Sequence, residues 1–366
     1  MLDIDINSLK NLYTEQALLA QKEGFKIYIF GAGIVGQIVE KQFLEPYNIF
    51  ASRFVEADEF YSGKRSVCGI PVIPYSEVDS SDKKVLLLVA YCYSEPGIYD
   101  IPSFEIKGRV FVGDAGMCAG CRITDGVLDA DFYISKKNDF DAFYDSLADE
   151  ESKLVMEAFI KARITGDYHY FSKIWRKDQY FDSSVIDLNS IKNWVDCGAY
   201  TGDTYEDYLG KCFGAKGCSY LFEPDEKNVE ILVKKYANNP HVCIIPKGAW
   251  NEKTTLYFAD DREDRGYITS SGTEIRVDSI DNVLNDKPVD FIKMDIEGSE
   301  YNALLGAQKT IQNWAPTLAI CVYHKKDDLL KIPQLIKTFR NDYDFFLRIY
   351  KPYSLELVLY AVKKSL

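Results

Sequence analysis

Short apolar runs alternate with helix-compatible segments along most of the chain, and this alternation is the main structural signal in the sequence. In the first part of the chain the apolar runs predict strands at residues 26–30, 53–56, 85–89 and 109–112. A helix-compatible segment at 37–43 follows the first of these strands. Strands that alternate with helices form parallel sheets. Residues 1–115 are therefore predicted to be one α/β unit.

A mostly helical segment follows this unit. Acidic residues at 149–151 precede apolar residues at helical spacing over 153–164, and Gly166 predicts the end of this helix. We interpret residues 116–175 as a helical connector, with most of its helix over 138–175.

Residues 176–366 carry a second alternating pattern. Its apolar runs predict strands at 193–196, 219–223, 242–246, 290–295 and 317–322. Two further strands, at 347–350 and 355–361, are joined by so short a link that we expect an antiparallel pair. Parallel strands that finish in an antiparallel pair are an uncommon combination. A chain of 366 residues is long enough for two domains.

The composition fits an ordered globular protein and disfavours some classes of binding partner. Acidic residues outnumber basic ones by 56 to 43, for a net charge of −13, which disfavours nucleic acid and anionic membranes. We find no apolar run of transmembrane length, no signal-peptide pattern and no repeating cysteine framework, so we expect a cytoplasmic protein with reduced thiols and no membrane insertion. Cys118 and Cys121 have the spacing of half a zinc site, but without a second such pair we expect no metal there.

The strongest functional pattern is Trp-Val-Asp-Cys-Gly-Ala-Tyr-Thr-Gly-Asp-Thr at residues 194–204. An apolar strand runs into Asp196, and Gly198 and Gly202 let the backbone approach a ligand at the start of a helix. A carboxylate before the first glycine suits a cationic ligand, and S-adenosylmethionine carries an ammonium and a sulfonium group. The pattern therefore favours this methyl donor over a nicotinamide. The other positions of the turn that we assign to the cofactor are Ala199, Tyr200, Asp203 and Thr204.

Two later strand ends extend the predicted donor site. Glu223 ends the second strand of the unit, where a carboxylate can accept hydrogen bonds from ribose hydroxyls. The less favoured alternative is an ordinary surface acid before a proline turn. After the third strand, Gly248 and Ala249 can let an adenine lie flat with Trp250 beside it. A tryptophan packed in the core is the equally favoured alternative for Trp250.

The fourth and fifth strands supply candidate catalytic residues. Asp295 and Glu297 alternate with apolar residues, so they project to the same side if the strand persists, and His324 follows the fifth strand. Ligands of open α/β sheets bind beyond the carboxyl ends of the strands. The two acids can bind the donor amine, orient an acceptor hydroxyl or act as base, and His324 or Asp295 is our hypothesis for the base. A divalent ion held by the acids is a further alternative. We assign no residue as a metal ligand.

These motifs together resemble the FkbM family of S-adenosylmethionine-dependent methyltransferases over roughly residues 176–366. The segments that carry the resemblance are 195–204, 222–225, 277–281, 292–300, 303–307 and 323–325. The resemblance implies a class I methyltransferase fold with a seven-stranded sheet, and methyl transfer that is usually to oxygen and often on sugars. It assigns the glycine turn to Asp196, Gly198 and Gly202, and the ribose acid to Glu223.

The first unit has a different glycine motif. Gly31, Gly33 and Gly36 lie between a strand and a helix, as in dinucleotide-binding folds. Residues 24–78 resemble the nucleotide-binding domain of sugar O-acyltransferases, which implies phosphate contacts at these glycines and a ribose contact at Glu56 or Asp58. Three interpretations stay open: a site for a nucleotide sugar, a regulatory site for NAD or another nucleotide, and a scaffold without ligand that dimerises.

We therefore predict a two-domain α/β O-methyltransferase that acts on a sugar or glycan precursor, as in polysaccharide biosynthesis, with self-association as a homodimer left open. The alternatives are an NAD-dependent nucleotide-sugar oxidoreductase and a non-catalytic donor-binding protein used in assembly. The charged segment 258–275 is predicted to be a loop that sets acceptor specificity.

Overall fold

The computed structural model describes residues 2–91, 104–114, 128–212, 217–262, 265–269, 272–351 and 356–364. Cys118 and Cys121 lie outside the described residues. The chain divides into two compact units. Unit 1 comprises Met1–Asp141, Leu154–Trp175 and Lys351–Leu355, and unit 2 comprises Ala142–Lys153, Arg176–Tyr350 and Glu356–Leu366.

Unit 1 contains a six-stranded sheet. Its strands are β1 (Lys26–Phe30), β2 (Arg53–Glu56), β3 (Arg65–Val67), β4 (Ile70–Pro74), β5 (Val85–Tyr91) and β6 (Arg109–Asp114). The order is β3-β4-β2-β1-β5-β6, and every neighbouring pair is parallel except β3 with β4. The sequence predicted β1, β2, β5 and β6. It missed the hairpin of β3 and β4 because these strands are short and alternate weakly.

The hydroxyl of Tyr13 ties the first helix of unit 1 to this sheet. Tyr13 is fully buried, and its Oη donates to the carbonyl oxygens of Val89 (2.7 Å) and Gly113 (2.6 Å). These two acceptors lie on β5 and β6, so the helix packs on the sheet at a defined position.

Unit 2 contains a seven-stranded sheet of order β16-β17-β15-β14-β7-β8-β9. Its strands are β7 (Trp194–Cys197), β8 (Ser219–Phe222), β9 (Val242–Ile245), β14 (Phe291–Met294), β15 (Thr317–Cys321), β16 (Tyr343–Ile349) and β17 (Leu357–Lys363). The first five are mutually parallel, and β17 is antiparallel to both of its neighbours. The seven-stranded sheet and its antiparallel end pair confirm the predicted fold class.

A separate four-stranded sheet of order β10-β13-β11-β12 corrects one prediction. Its strands are β10 (Gly248–Ala249), β11 (Thr254–Arg262), β12 (Arg265–Thr269) and β13 (Thr273–Asp278). The segment 258–275 was predicted to be a loop, which is wrong, since β11 pairs antiparallel with both β12 and β13. Charged residues occur in antiparallel strands as well as in loops, so the charges alone did not indicate a loop.

Helices connect the strands of both units. The α-helices of the described residues are Leu12–Lys22, Ile34–Ile38, Ala130–Ser135, Lys137–Asp145, Glu150–Thr165, Asp203–Lys211, Glu226–Tyr236, Ile280–Leu284, Glu300–Leu305, Gln308–Trp314 and Asp328–Phe339. The predicted helix at 37–43 corresponds to the end of Ile34–Ile38 and a π-helix at Val39–Leu44. Across the described parts of the chain, no helix combines the length and the apolar character needed to cross a membrane.

The central strands of unit 2 are buried along their whole length. Every residue of β7, β8 and β14 is buried, as expected for parallel strands covered on both faces. Trp194 of β7 and Phe291 of β14 pack with Phe181 and Tyr208 in one aromatic cluster. Two charged residues, Asp196 and Lys293, occupy these otherwise apolar central strands, and both mark the site described next.

Candidate functional site

The turn after β7 can be built only with glycine at two positions. Gly198 and Gly202 have φ of +81° and +90°, in the left-handed region that disfavours side chains. A Cβ at Gly198 would lie 2.0 Å from the main-chain oxygen of Asp295, and one at Gly202 would lie 2.7 Å from the ring of Tyr236. The turn is therefore pressed directly against the end of β14.

Asp196 forms a buried ion pair at the base of this turn. Its Oδ1 lies 3.0 Å from Nζ of Lys293, and the two side chains are 0% and 3% exposed. The same Nζ donates to the carbonyl oxygen of Gly198 at 2.8 Å. Burial raises the pKa of Asp196 to about 6 against the opposing effect of Lys293. Lys293 thus holds both the predicted donor acid and the turn.

Glu223, the predicted ribose acid, also supports the turn. The carboxylate is 6% exposed, and it accepts hydrogen bonds from the main-chain N–H groups of Tyr200 (2.8 Å) and Asp225 (3.0 Å). Burial raises its pKa in spite of these bonds. Tyr200 itself is exposed and has a φ of +46°, so the turn presents this residue outward.

The other predicted donor residues lie at the same edge of the sheet. Ala199 and Thr204 are buried, whereas Asp203 is exposed at the first position of the helix Asp203–Lys211. Gly248 and Ala249 form the short strand β10, which pairs parallel with β13. Because β7, β8 and β9 are parallel, the segments that follow them start from one edge.

Trp250 is half-buried, and a main-chain hydrogen bond fixes its position. Its N–H donates to the carbonyl oxygen of Asp278 at 2.9 Å. The carboxylate of Asp278 accepts from Nζ of Lys247 at 2.7 Å. Burial works against ionisation of Asp278, but the hydrogen bonds from Lys247 and Asn282 leave its pKa below the ordinary value. This network places the predicted adenine-binding segment against the end of β13.

Three carboxylates surround one buried imidazole at the ends of β14 and β15. Nε2 of His324 lies 3.4 Å from Oδ1 of Asp295 and 3.7 Å from Oε2 of Glu297, and Nδ1 lies 3.0 Å from Oε1 of Glu300. The side chains of Asp295 and Glu297 are 25% and 33% exposed, whereas those of His324 and Glu300 are 1% exposed. The structure thus brings together the three predicted catalytic residues and adds Glu300.

The electrostatics of this cluster favour a positive charge at the imidazole. Burial lowers the pKa of His324, but Glu300, Glu297 and Asp295 raise it to about 10. Burial raises the pKa of Asp295, yet Lys293, His324 and a hydrogen bond from Tyr180 leave it below the ordinary value. The Oη of Tyr180 donates to Oδ2 of Asp295 at 2.7 Å, which orients that carboxylate.

Three residues of the site were missed by the sequence analysis. Lys293 had a usable signal, since it is a charged residue inside an apolar strand that leads directly into the predicted acids. Glu300 follows Glu297 at a spacing of three residues, which also could have been used. Tyr180 is separated from Asp295 by 115 positions, and no local pattern links the two.

The predicted second nucleotide site in unit 1 has mostly internal contacts. A Cβ at Gly36 would lie 1.9 Å from the carbonyl oxygen of Gly31, so that glycine allows close packing of helix on strand. Gly33 precedes the helix Ile34–Ile38. The carboxylate of Glu56 pairs with Arg65, and Oδ1 of Asp58 accepts from the N–H and Oγ of Ser76 at 3.0 and 2.9 Å.

Comparison with known proteins finds a family model that matches part of unit 2. Residues 196–346 match the family model of the methyltransferase FkbM domain. Among solved structures, the chain is similar to methyltransferase FkbM from Methylobacillus flagellatus KT, with 23% identity, coverage of 98% of this chain and 95% of that chain, and a TM-score of 0.68. At this identity the likeness establishes the fold.

More distant structures also match parts of the chain. The fibrillarin pre-rRNA processing protein of Methanococcus jannaschii covers 50% of this chain and 70% of its own, at 12% identity and a TM-score of 0.34. Aeropyrum pernix fibrillarin with natively bound S-adenosyl-L-methionine covers 48% and 69%, at 11% identity and a TM-score of 0.32. A comparison with curated proteins finds no match.

Proposed function

We propose that this protein is an S-adenosylmethionine-dependent methyltransferase that methylates a hydroxyl group of a sugar or glycan precursor. The match of residues 196–346 to the methyltransferase FkbM domain supports the proposal. The donor would occupy the turn at Gly198–Gly202, with Glu223 near its ribose and the segment 248–250 near its adenine. The acceptor hydroxyl would lie between the donor and the carboxylates of Asp295 and Glu297.

The observation that carries this proposal is the direct contact between the turn and the acid cluster. Only 2.0 Å separates the place of a Cβ on Gly198 from the main-chain oxygen of Asp295. A methyl donor held by this turn would therefore lie beside Asp295 and Glu297. Both carboxylates are partly exposed and can accept a hydrogen bond from an incoming hydroxyl.

The reaction would be a direct displacement. A lone pair of the acceptor oxygen forms the new C–O bond while the bond from the methyl carbon to sulfur breaks. S-adenosylhomocysteine leaves as a neutral thioether, and the hydroxyl proton passes to a carboxylate of the cluster. Such proton transfer contributes roughly 10²–10⁴-fold, and alignment of oxygen, methyl carbon and sulfur contributes the larger part of the acceleration.

A sugar is the acceptor class that this cluster suits. Neighbouring hydroxyls of one ring can each donate to a different carboxylate, so that a single hydroxyl is directed toward the methyl group. We extend the proposal to acceptors in which the sugar carries a nucleotide. Separately, we propose unit 1 as a candidate nucleotide-binding part through Gly31, Gly33 and Gly36.

The test measures donor binding and methyl transfer separately. Calorimetric titration with S-adenosylhomocysteine comes first, with Asp196→Ala and Glu223→Ala as variants expected to lose binding. Incubation with S-adenosylmethionine and a panel of nucleotide sugars, free sugars and amines follows, with mass spectrometry of the acceptors. We expect S-adenosylhomocysteine to form together with a methyl ether of one sugar, and methylation of amines alone would contradict the proposal.

A matched pair of variants tests whether the carboxylates around His324 take part in methyl transfer. Glu297→Gln removes one partly exposed carboxylate and is expected to lower turnover by about 10²-fold while donor affinity stays unchanged. Asp327→Asn removes the same charge from a nearby residue that pairs with Lys331 outside the cluster, and it serves as control. Equal turnover in the two variants would exclude Glu297 from the reaction.

The two alternative functions predict different results. A nucleotide-sugar oxidoreductase would bind a nicotinamide in unit 1 and oxidise or reduce the sugar without consuming the methyl donor. A donor-binding assembly protein would bind S-adenosylhomocysteine in calorimetry but form none from the donor with any acceptor.

A further inference from the structure

We propose that His324, Asp295 and Glu297 form a binding site for a divalent cation, with Nε2 of His324 and one carboxylate oxygen from each acid as ligands. Glu300 would hold the other ring nitrogen of His324. The existence of the site is independent of the proposed reaction, whereas its use in activating the acceptor hydroxyl rests on the proposed function.

The distances in the cluster are close to those of a coordination shell. Nε2 lies 3.4 Å from Oδ1 of Asp295 and 3.7 Å from Oε2 of Glu297. Adjacent ligands of an octahedral ion with bonds of about 2.1 Å are about 3 Å apart, so shifts of a few tenths of an ångström would bring both oxygens to ligand spacing from Nε2. Ligand atoms of Asp295, Glu300 and His324 also all lie within 4.8 Å of one another.

A buried atom without a partner points into this space. His324 is almost completely buried, and neither of its ring nitrogens, Nε2 included, has a hydrogen-bond partner among the described residues. A buried polar atom left unpaired is destabilising, and here two carboxylate oxygens face the same nitrogen. A cation between the three atoms would give Nε2 a partner and would offset the negative charge of the two carboxylates.

Residues behind the ligands orient them as metal sites require. Oε1 of Glu300 lies 3.0 Å from Nδ1 of His324 and accepts a hydrogen bond from the N–H of Ile296 at 2.9 Å. In the metal-bound form Glu300 would hold the proton on Nδ1, and the ion would displace the proton from Nε2. Oδ2 of Asp295 accepts from the hydroxyl of Tyr180 at 2.7 Å and Oδ1 accepts from the hydroxyl of Tyr323 at 3.4 Å, so both hydroxyls orient this carboxylate.

The ligand types indicate the class of ion. Two carboxylates suit Mg²⁺ and Mn²⁺, and one imidazole shifts the preference toward Mn²⁺ and away from Ca²⁺. Both acids are partly exposed, so positions of the shell remain open toward the acceptor. A bound ion would polarise a hydroxyl placed there and lower its pKa.

The experiment is a titration of the metal-free protein with Mn²⁺, followed by electron paramagnetic resonance, without donor or acceptor. We expect binding of one ion, weakened at least 10-fold in Asp295→Asn and in Glu297→Gln and unchanged in Asp327→Asn. Competition by Mg²⁺ and Zn²⁺ reports the preference. Each variant is first shown to bind S-adenosylhomocysteine like the wild type, so that misfolding is not taken for lost metal binding.

Two results would overturn the site. One is wild-type protein that binds S-adenosylhomocysteine but no Mn²⁺, Mg²⁺ or Zn²⁺. The other is Mn²⁺ binding that persists undiminished in both acid variants, since the ion would then lie elsewhere. Neither result depends on methyl transfer, so failure of the metal site and failure of the proposed reaction are distinguishable.

Discussion

Lys293 and Asp196 occupy paired positions on two adjacent parallel strands, and their side chains meet as a buried ion pair at 3.0 Å. The Nζ of Lys293 also donates to the carbonyl oxygen of Gly198, so one cation holds both the strand end and the turn that follows it. The pair therefore links the stability of the sheet centre to the shape of the predicted donor site.

Replacing Lys293 by Met is expected to destabilise the protein by about 3–5 kcal/mol, because it leaves the carboxylate of Asp196 buried without a partner. Urea unfolding followed by circular dichroism measures the loss. The double variant Lys293→Met with Asp196→Asn removes the uncompensated charge and is expected to recover part of the stability. A single variant as stable as the wild type would show that the pair contributes nothing.

Gly198→Ala is expected to reduce affinity for S-adenosylhomocysteine at least 10-fold. The added Cβ would lie 2.0 Å from the main-chain oxygen of Asp295 and would sit at a φ of +81°. Left-handed strain alone costs about 1–2 kcal/mol for an L-residue, so the turn must move. Calorimetry measures the affinity.

Gly210→Ala is the matched control for this turn. Gly210 lies in the helix Asp203–Lys211, and nothing lies within 4 Å of an added Cβ. Alanine there is expected to stabilise the protein by up to about 1 kcal/mol and to leave donor affinity unchanged. Equal affinity losses at both positions would mean that the effect is not specific to the turn.

Asp278→Asn is expected to destabilise the protein at neutral pH by about 1.5–3 kcal/mol, since it weakens charge-assisted hydrogen bonds from Lys247 and Asn282. The folded-state pKa of Asp278 lies below its ordinary value of 3.8. Its contribution is therefore present above that pH and is lost as the pH falls through the lower folded-state value.

Unfolding free energies of wild type and Asp278→Asn, measured from pH 7 down to pH 3, test the sign of this linkage. The two curves should converge at the acid end. The exposed acid of Glu252 offers a control, and Glu252→Gln should follow the wild type throughout. A difference that widens toward low pH would contradict the assignment.

Gly36→Ala is expected to destabilise unit 1 whether or not a nucleotide binds there. Its Cβ would lie 1.9 Å from the carbonyl oxygen of Gly31, so the helix would have to move away from the strand. Thermal unfolding, with and without a nucleotide sugar, measures the effect. A variant of unchanged stability that has lost nucleotide binding would assign this glycine to the ligand and not to packing.

Local patterns predicted much of the architecture. Apolar runs located the strands of the large sheet because buried parallel strands are apolar throughout, and the short link before β17 predicted its antiparallel direction. The same reasoning failed for β11 and β12. Their pairing depends on partner residues across the sheet, which a local pattern of charged residues does not reveal.

Part of the candidate site was likewise predictable from local sequence, and the rest depends on the tertiary structure. The turn at Gly198 and Gly202 was readable because glycine at those positions is a local backbone requirement, and Asp295, Glu297 and His324 were placed at one edge because parallel strands end together. That Glu300 faces Nδ1 of His324 and that Tyr180 orients Asp295 follows from distances between residues far apart in the chain.

The sequence by itself determined the parallel strands of the seven-stranded sheet, the glycine turn and the set of acids near it, because each depends on neighbouring residues and on strand direction. The tertiary structure decided that Asp196 pairs with Lys293 and that three carboxylates surround one imidazole. Strand register and side-chain packing set those distances, and the strength of an electrostatic interaction depends on distance and burial. Neither quantity is encoded in the spacing of residues along the chain.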